Sequence, residues 1–390
     1  MDPNDRSAAT PAPEPPPSEP PPADEAPPPE VIAAARFFQT IHTLTPASHV
    51  TTALIALNVA VFVAMAAIGR VGLFEPTVGD LIRWGASYAP RTTAGEWWRL
   101  LTATFIHIGV VHLLVNMYAL AGSGPLVERL FGNGPFLVLY VVAGLAGALA
   151  SVVVNPMTVS AGASGAIFGV FGALLAFVVR RRDAIPPAIL QRLKKSAFLF
   201  VAVNLAFGFA KSGIDNSAHI GVLAAGFLCG LALAGELTPE AAARRWRRAG
   251  VVAAAGALAL GLVASRLEPT PDIEGELDRS IAVESRAVDR FNALVHDDKV
   301  DDAATAAVIG TEILPPWRES RLRLEALRPR LPAAVVAGFE RRLRYMHLRE
   351  EAWTLHAEAA REHDVAKLER AEAKAAEAEK LVEEMNRESN

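Results

Sequence analysis

The sequence predicts an all-α membrane protein: a bundle of seven transmembrane helices followed by a soluble helical domain. Three observations predict it. The 390 residues are 52% hydrophobic with a mean hydropathy of +0.27, which argues against a purely soluble chain and excludes a disordered one. Long apolar stretches dominate residues 51–265. Residues 266–390 instead carry 27 acids and 20 bases, with no apolar run long enough to span a bilayer.

A span needs about 20 mostly apolar residues. In chain order the candidates are 51–69, about 104–126 (interrupted by His107, His112 and Asn116), 134–154 (stopped by Asn155-Pro156), about 164–180, about 196–210, about 217–235 (containing His219) and 249–265. Ahead of them, residues 1–30 hold 12 of the 27 prolines, with seven acids and one base. That composition cannot bury a core, so 1–48 reads as a disordered, Pro-rich acidic tail. It has no basic n-region or apolar h-region, so no signal peptide is expected. The organisation is then a six-span core over 49–236, a basic loop and seventh span over 237–265, and a helical soluble domain over 266–390. In the last, 276–295 and 318–330 alternate apolar and charged residues at helical spacing. Residues 334–385 are rich in helix formers, and Pro315-Pro316 and Pro329 to Pro332 punctuate the region. No motif there names a partner.

The net charge of −4 points to no nucleic acid. A single cysteine, Cys229, excludes a disulfide framework and a CxxC metal knuckle, and reads as a small buried hydrophobe. Orientation follows from basic residues in short loops. Arg180, Arg181, Arg182, Arg192, Lys194 and Lys195 join spans four and five; Arg244, Arg245, Arg247 and Arg248 join spans six and seven. With seven spans both loops are cytoplasmic, the N-terminus is cytoplasmic and the C-terminal domain is outside. If the seventh is not a span, that domain moves to the cytoplasm. The first loop, 70–103, carries Trp84, Trp97 and Trp98, which favour the interface with the headgroups.

Polar side chains at membrane depth are costly and face a bundle interior or a cavity. His107, His112, Asn116, His219 and Ser164 are the candidates. His112 and Asn116, four apart, share a helix face. A lone histidine would only bridge helices, but three with an asparagine weaken that reading. Ser164 stands in Gly162-Ala163-Ser164-Gly165, where the turn after Asn155-Pro156 becomes the fourth span. From there to Val179 an α-helix rises about 24 Å, short of the roughly 30 Å hydrocarbon core, so the helix can start below the surface. Its N-terminal N–H groups favour developing negative charge, a suitable place for a nucleophile. The competing reading of Ser164 is a simple helix N-cap. A serine nucleophile needs a base, and the histidines at this depth are candidates. Gly226 and Gly230 beyond His219, and Gly165, Gly169 and Gly172 along the fourth span, would let those two helices approach closely enough to join His219 to Ser164. No mid-span carboxylate is present to orient the histidine, which suggests a dyad.

Taken in order, Trp98-Arg99, His107-xxxx-His112-xxx-Asn116, Gly162-Ala163-Ser164-Gly165 and Ala218-His219 with its following glycines resemble the rhomboid family of intramembrane serine proteases, over roughly 51–235. The resemblance implies a six-helix rhomboid core with a seventh helix added. It implies Ser164 as nucleophile, His219 as general base and later acid, and an oxyanion hole of His112, Asn116 and the Ser164 N–H. Gly162 would allow the bend, Phe168 would pack on His219, and His107, Trp98, Arg99, Gly165, Gly226 and Glu128 would be structural. The family commonly has glycine three residues after the histidine; here Val222 stands there. The implied reaction is endoproteolysis of single-span membrane proteins in the lipid bilayer, in a bacterial inner membrane, with no metal or organic cofactor. Two rival readings are a metal or proton transporter using His107, His112 and His219, and a catalytically dead client binder. The first leaves the glycine–serine turn without a role, and retention of Ser164 and His219 argues against the second. The HExxH of zinc proteases and paired membrane aspartates are both lacking.

Overall fold

The computed structural model describes residues 27–210, 216–295, 301–331 and 333–389. These are overwhelmingly helical. Packing divides the chain into two compact units: Met1–Thr77, Thr104–Ala150 and Ala161–Gly261 form one, and Val78–Ala103, Ser151–Ser160 and Leu262–Asn390 the other.

In the first unit, α1 (Pro29–Leu44) precedes α2 (His49–Ala67), α3 (Val110–Phe131), α4 (Asn133–Val154), α5 (Ser164–Arg180), α6 (Pro187–Ala210), α7 (Asn216–Leu233) and α8 (Arg245–Ala264). By length and composition α2, α3, α4 and α8 suffice to cross a membrane; α5 and α7 are shorter apolar helices. Large apolar side chains face outward along them, including Leu57 and Val63 on α2, Val111, Leu114 and Tyr118 on α3, and Leu258 and Leu262 on α8. Such surfaces suit hydrocarbon and not water.

Three expectations about this unit need correction. The acidic tail over 1–48 lies outside the described residues as far as 26, and from Pro29 the chain is already helical, anchored by buried Phe37 and Ile41. The second span begins at Val110 and not near 104. Residues 103–105 form a 3₁₀ turn, and Gly109 has φ +85°, which glycine adopts without strain, so His107 lies before the helix. The fifth helix starts at Pro187, nine residues ahead of the apolar run, because Arg192, Lys194 and Lys195 are exposed along its first turns and cost the helix nothing.

Aromatic and aliphatic side chains fill the centre, among them Leu120, Phe131, Phe136, Tyr140, Ile167 and Phe177, with Phe131 edge-on to Phe177 at 5.7 Å. At the other end Glu128, fully buried, accepts hydrogen bonds from the N–H groups of Val50 and Thr51 (2.9 and 2.8 Å) and from the Thr51 hydroxyl (2.6 Å). It thus caps α2 from another helix, since Ser48 makes no side-chain cap. Arg245, at the start of α8, donates to Thr45 Oγ1 (3.1 Å) and to the carbonyl of Leu130 (3.4 Å), tying the last apolar helix to the end of α3.

The second unit holds the short helices Val78–Trp84, Ala89–Thr92 and Arg99–Thr102 together with α9 (Ile273–Val295), α10 (Asp302–Val308), α11 (Leu314–Leu327), α12 (Ala333–Glu362) and α13 (Val365–Ser389). Between α10 and α11 the helix widens into a π turn, Ile309–Ile313, just before Pro315-Pro316, whose missing N–H groups cannot sustain a regular ladder. Pro332 lies outside the described residues. The helix-rich stretch 334–385 is two helices, broken where His363 takes φ +50° and Asp364 accepts from the N–H groups of Ala366 and Lys367. No glycine or proline marks that break. Trp317, Trp353, Met346 and Ile313 form the centre; the Trp317 indole donates to the carbonyl of Met346 (2.9 Å) and meets Trp353 edge-on at 4.9 Å.

His356 packs edge-on to Phe291 at 5.0 Å. Burial lowers its pKa below the ordinary 6.5, outweighing the pull of Glu372 and Asp302. A histidine held neutral in the fold charges more readily once unfolded. Its contribution is therefore present above pH 6.5 and lost as the pH falls below that value. Chemical unfolding followed by tryptophan fluorescence is expected to show this loss as the pH falls below 6.5, and His356→Leu to flatten it.

Candidate active site

The helix pair α5–α7 positions the site. A Cβ built on Gly226 would fall 2.2 Å from the Gly169 carbonyl oxygen, and one on Gly230 2.5 Å from Ala173 Cα. A Cβ on Gly172 would fall 2.2 Å from the Leu223 oxygen. Only glycine allows backbones this close. The contact pairs advance together along both chains, so the helices run in the same direction and their N-terminal ends meet.

Ser164 and His219 stand at those ends. Ser164 Oγ lies 3.1 Å from His219 Nε2, the hydrogen-bond distance that a nucleophile and a base would need. Ser164 is the first residue of α5, and the preceding Ala163 makes no side-chain cap. The hydroxyl is thus engaged with the histidine and not spent as an N-cap. The Ser164 N–H belongs to the opening turn, where amides lack intrahelical acceptors.

One turn on, Phe168 is buried and lies parallel to the His219 ring, with centroids 4.4 Å apart and planes within 7°. Phe168 also meets Phe200 of α6 at 5.3 Å, and Phe200 stacks on Phe171 at 3.8 Å. Phe200 was not recognisable in the sequence, since nothing distinguishes it from other apolar residues of its span. Val222, the departure noted above, is buried beside Ala143 and Phe168. Its Cγ2 would lie 2.8 Å from a Cβ on Gly147, so a glycine on α4 supplies the room that the family's glycine on α7 would have given.

Gly162 has φ +125°, and a Cβ there would sit 2.6 Å from His112 Cε1 and 3.0 Å from its Nε2. The imidazole therefore rests against the backbone two residues before Ser164. The Ile108 N–H donates to His112 Nδ1 (3.3 Å), so in the neutral ring the proton resides on Nε2, on the side of the turn. Asn116, one helical turn below, is buried and donates one amide hydrogen to the His112 carbonyl (2.9 Å), leaving its second N–H as a further donor. His107 is buried with its ring 5.2 Å from that of His112 and Nδ1 3.4 Å from the Phe105 carbonyl. It buttresses His112. A Cβ built on Gly165 would lie 3.8 Å from Gly147 Cα, an ordinary contact.

Arg99 and Trp98 lie in the other unit. Arg99 is buried, pairs with Glu96 (2.6 Å), donates to the carbonyls of Ile82 and Ala86, and stacks over the half-exposed Trp98 at 4.6 Å. It ties the first loop to itself. Among the described residues no three His, Cys, Asp or Glu side chains converge as a metal ion would require.

Comparison with known proteins gives a family match. Residues 94–236 match the model of the rhomboid domain. The chain is 46% identical over 153 residues to rhomboid protease GluP of Bacillus subtilis, a match covering 39% of this chain and 29% of that protein. It is 38% identical over 135 residues to the putative rhomboid protease YdcA of the same organism, covering 34% and 66% respectively. It is 40% identical over 138 residues to RHOMBOID-like protein 4 of Arabidopsis thaliana, covering 35% and 34%. The chain thus spans less than a third of the first relative's length, and the family-model match ends at residue 236.

Proposed function

Because the chain belongs to the rhomboid family, an integral multi-pass membrane family, we propose that it is an intramembrane serine endopeptidase working through a Ser164–His219 dyad. The observation that carries the proposal is the 3.1 Å contact of Ser164 Oγ with His219 Nε2 at a helix N-terminus. His219 Nε2 takes the hydroxyl proton as Oγ attacks the scissile carbonyl carbon. The tetrahedral oxyanion is held by the Ser164 N–H, the Nε2–H of His112 and the Asn116 amide. Collapse breaks the C–N bond, and His219 gives its proton to the leaving amine. Water then attacks the acyl-enzyme, His219 takes its proton, and that proton returns to Ser164. Phe168 keeps the imidazole in place throughout. No metal or organic cofactor enters this scheme.

The substrates are single-span membrane proteins. A helical carbonyl is already hydrogen-bonded, so a substrate helix must unwind before attack, which favours segments with small or helix-breaking residues. The proposed location is a bacterial inner membrane with seven spans, the N-terminus cytoplasmic. The Thr270 N–H donates to Thr93 Oγ1 (2.8 Å), so the helical domain shares a membrane side with the first loop. That pairing supports an odd number of spans, and with the basic loops cytoplasmic it supports an outer-side helical domain.

The test is cleavage of a single-span model substrate in proteoliposomes, with a fluorophosphonate probe and a chelator in parallel samples. Chelator-resistant cleavage and probe labelling, both lost in Ser164→Ala, are expected. A folded wild type that neither cleaves nor labels would sink the proposal in favour of client binding. His112→Ala is expected to lower kcat about 10²–10³-fold with little change in KM, as loss of one oxyanion donor does. Equal rates in wild type and variant would remove His112 from the oxyanion hole.

A further inference from the structure

Ser160 precedes Ser164 by four residues, and its backbone is paired. The Ser87 N–H donates to the Ser160 carbonyl (2.9 Å) and the Ser160 N–H to the Ser87 carbonyl (2.8 Å), an isolated antiparallel bridge between the first loop and the segment 151–160. The C-terminal helical domain grips both sides of this bridge. On one side Tyr88 is buried facing the carboxylates of Glu274 and Asp272; burial, then those charges, push its pKa up to about 12. Arg91 Nε lies 3.9 Å from Asp272, and the Thr270 N–H donates to Thr93 Oγ1. On the other side Met157, three residues before Ser160, packs on the buried cluster around Trp317 and Trp353. The dyad depends on none of these contacts, since α5 and α7 pack through their own glycines.

We propose that the C-terminal helical domain is a positioning element for proteolysis: through Met157 and the 270–274 strap it holds the Ser87–Ser160 bridge, which ends four residues before Ser164 in the chain. This rests on the protease reading. A held bridge presents a fixed edge to an incoming polypeptide, so the domain acts on substrate binding and leaves the chemistry of the dyad untouched. Met157, Thr93 and Asp272 are positioning residues in this sense.

The test uses the full chain in proteoliposomes with the double variant Met157→Ala/Thr93→Val. Amide exchange by mass spectrometry is expected to quicken about tenfold in peptides containing Ser87 and Ser160, and not in peptides from α5. KM for the model substrate is expected to rise about tenfold, with kcat and fluorophosphonate labelling of Ser164 unchanged. Unchanged exchange, or faster exchange with unchanged KM, overturns the proposal. So does a fall of kcat and labelling in step with KM, which would mark general loss of structure. Should the double variant melt far below wild type, Asp272→Asn carries the same test. It keeps the side-chain oxygen that accepts from the Gly275 N–H (3.0 Å) and removes the charge facing Arg91 and Tyr88. If the wild type neither cleaves nor labels, the protease reading fails, while the exchange measurement still decides whether the domain holds the bridge.

Discussion

Cleavage by His219→Ala is expected to fall by about 10⁴-fold or more in kcat, and Ser164→Ala/His219→Ala to be no slower than Ser164→Ala. A hydroxyl is a poor nucleophile without a base, and a base 3.1 Å away has nothing to activate once the hydroxyl is gone. Residues acting as one unit therefore lose their contribution together. The residual rate comes from the oxyanion donors, which both variants retain. Initial rates on one substrate, with labelling of Ser164 as a second readout, check this. Losses that multiply between the two single variants would mean that the residues act independently, and the dyad would be wrong.

Gly226→Val is expected to be the most damaging substitution outside the dyad. Its Cβ would land 2.2 Å from the Gly169 carbonyl oxygen and 2.4 Å from its Cα, both backbone atoms that cannot swing aside. The helices must separate, at a cost of about 1–3 kcal/mol or more. That separation also pulls His219 from Ser164, so kcat and probe labelling should fall with thermal stability in detergent. Gly221→Ala is the control: nothing lies within 4 Å of the added carbon, alanine favours the helix, and stability should not fall. A Gly226→Val protein as stable and as reactive as wild type would show that close packing of α5 and α7 does not assemble the site.

Much of the candidate site is legible in the sequence. Polar residues are expensive inside a membrane, so His107, His112, Asn116, Ser164 and His219 stood out against an apolar background. Glycine spacing pointed to the helix pair, because at four-residue intervals the absence of a side chain has a geometric meaning. The helix starts were less legible. The run 104–126 is apolar throughout, yet Gly109 ends the irregular part and α3 begins at Val110, since hydropathy does not register φ. The break at His363 between α12 and α13 left no glycine or proline to read.

The sequence by itself determined the class of protein, the apolar helices and the candidate residues for nucleophilic chemistry, because composition, periodicity and the cost of polar groups are local properties. Only the tertiary structure decided that Phe200 backs Phe168, that Gly147 makes room for Val222, that Glu128 caps α2, and that Met157 joins the helical core around Trp317. Each of these is a contact between residues far apart in the chain. An apolar or small residue carries no mark of its partner, so packing alone selects it.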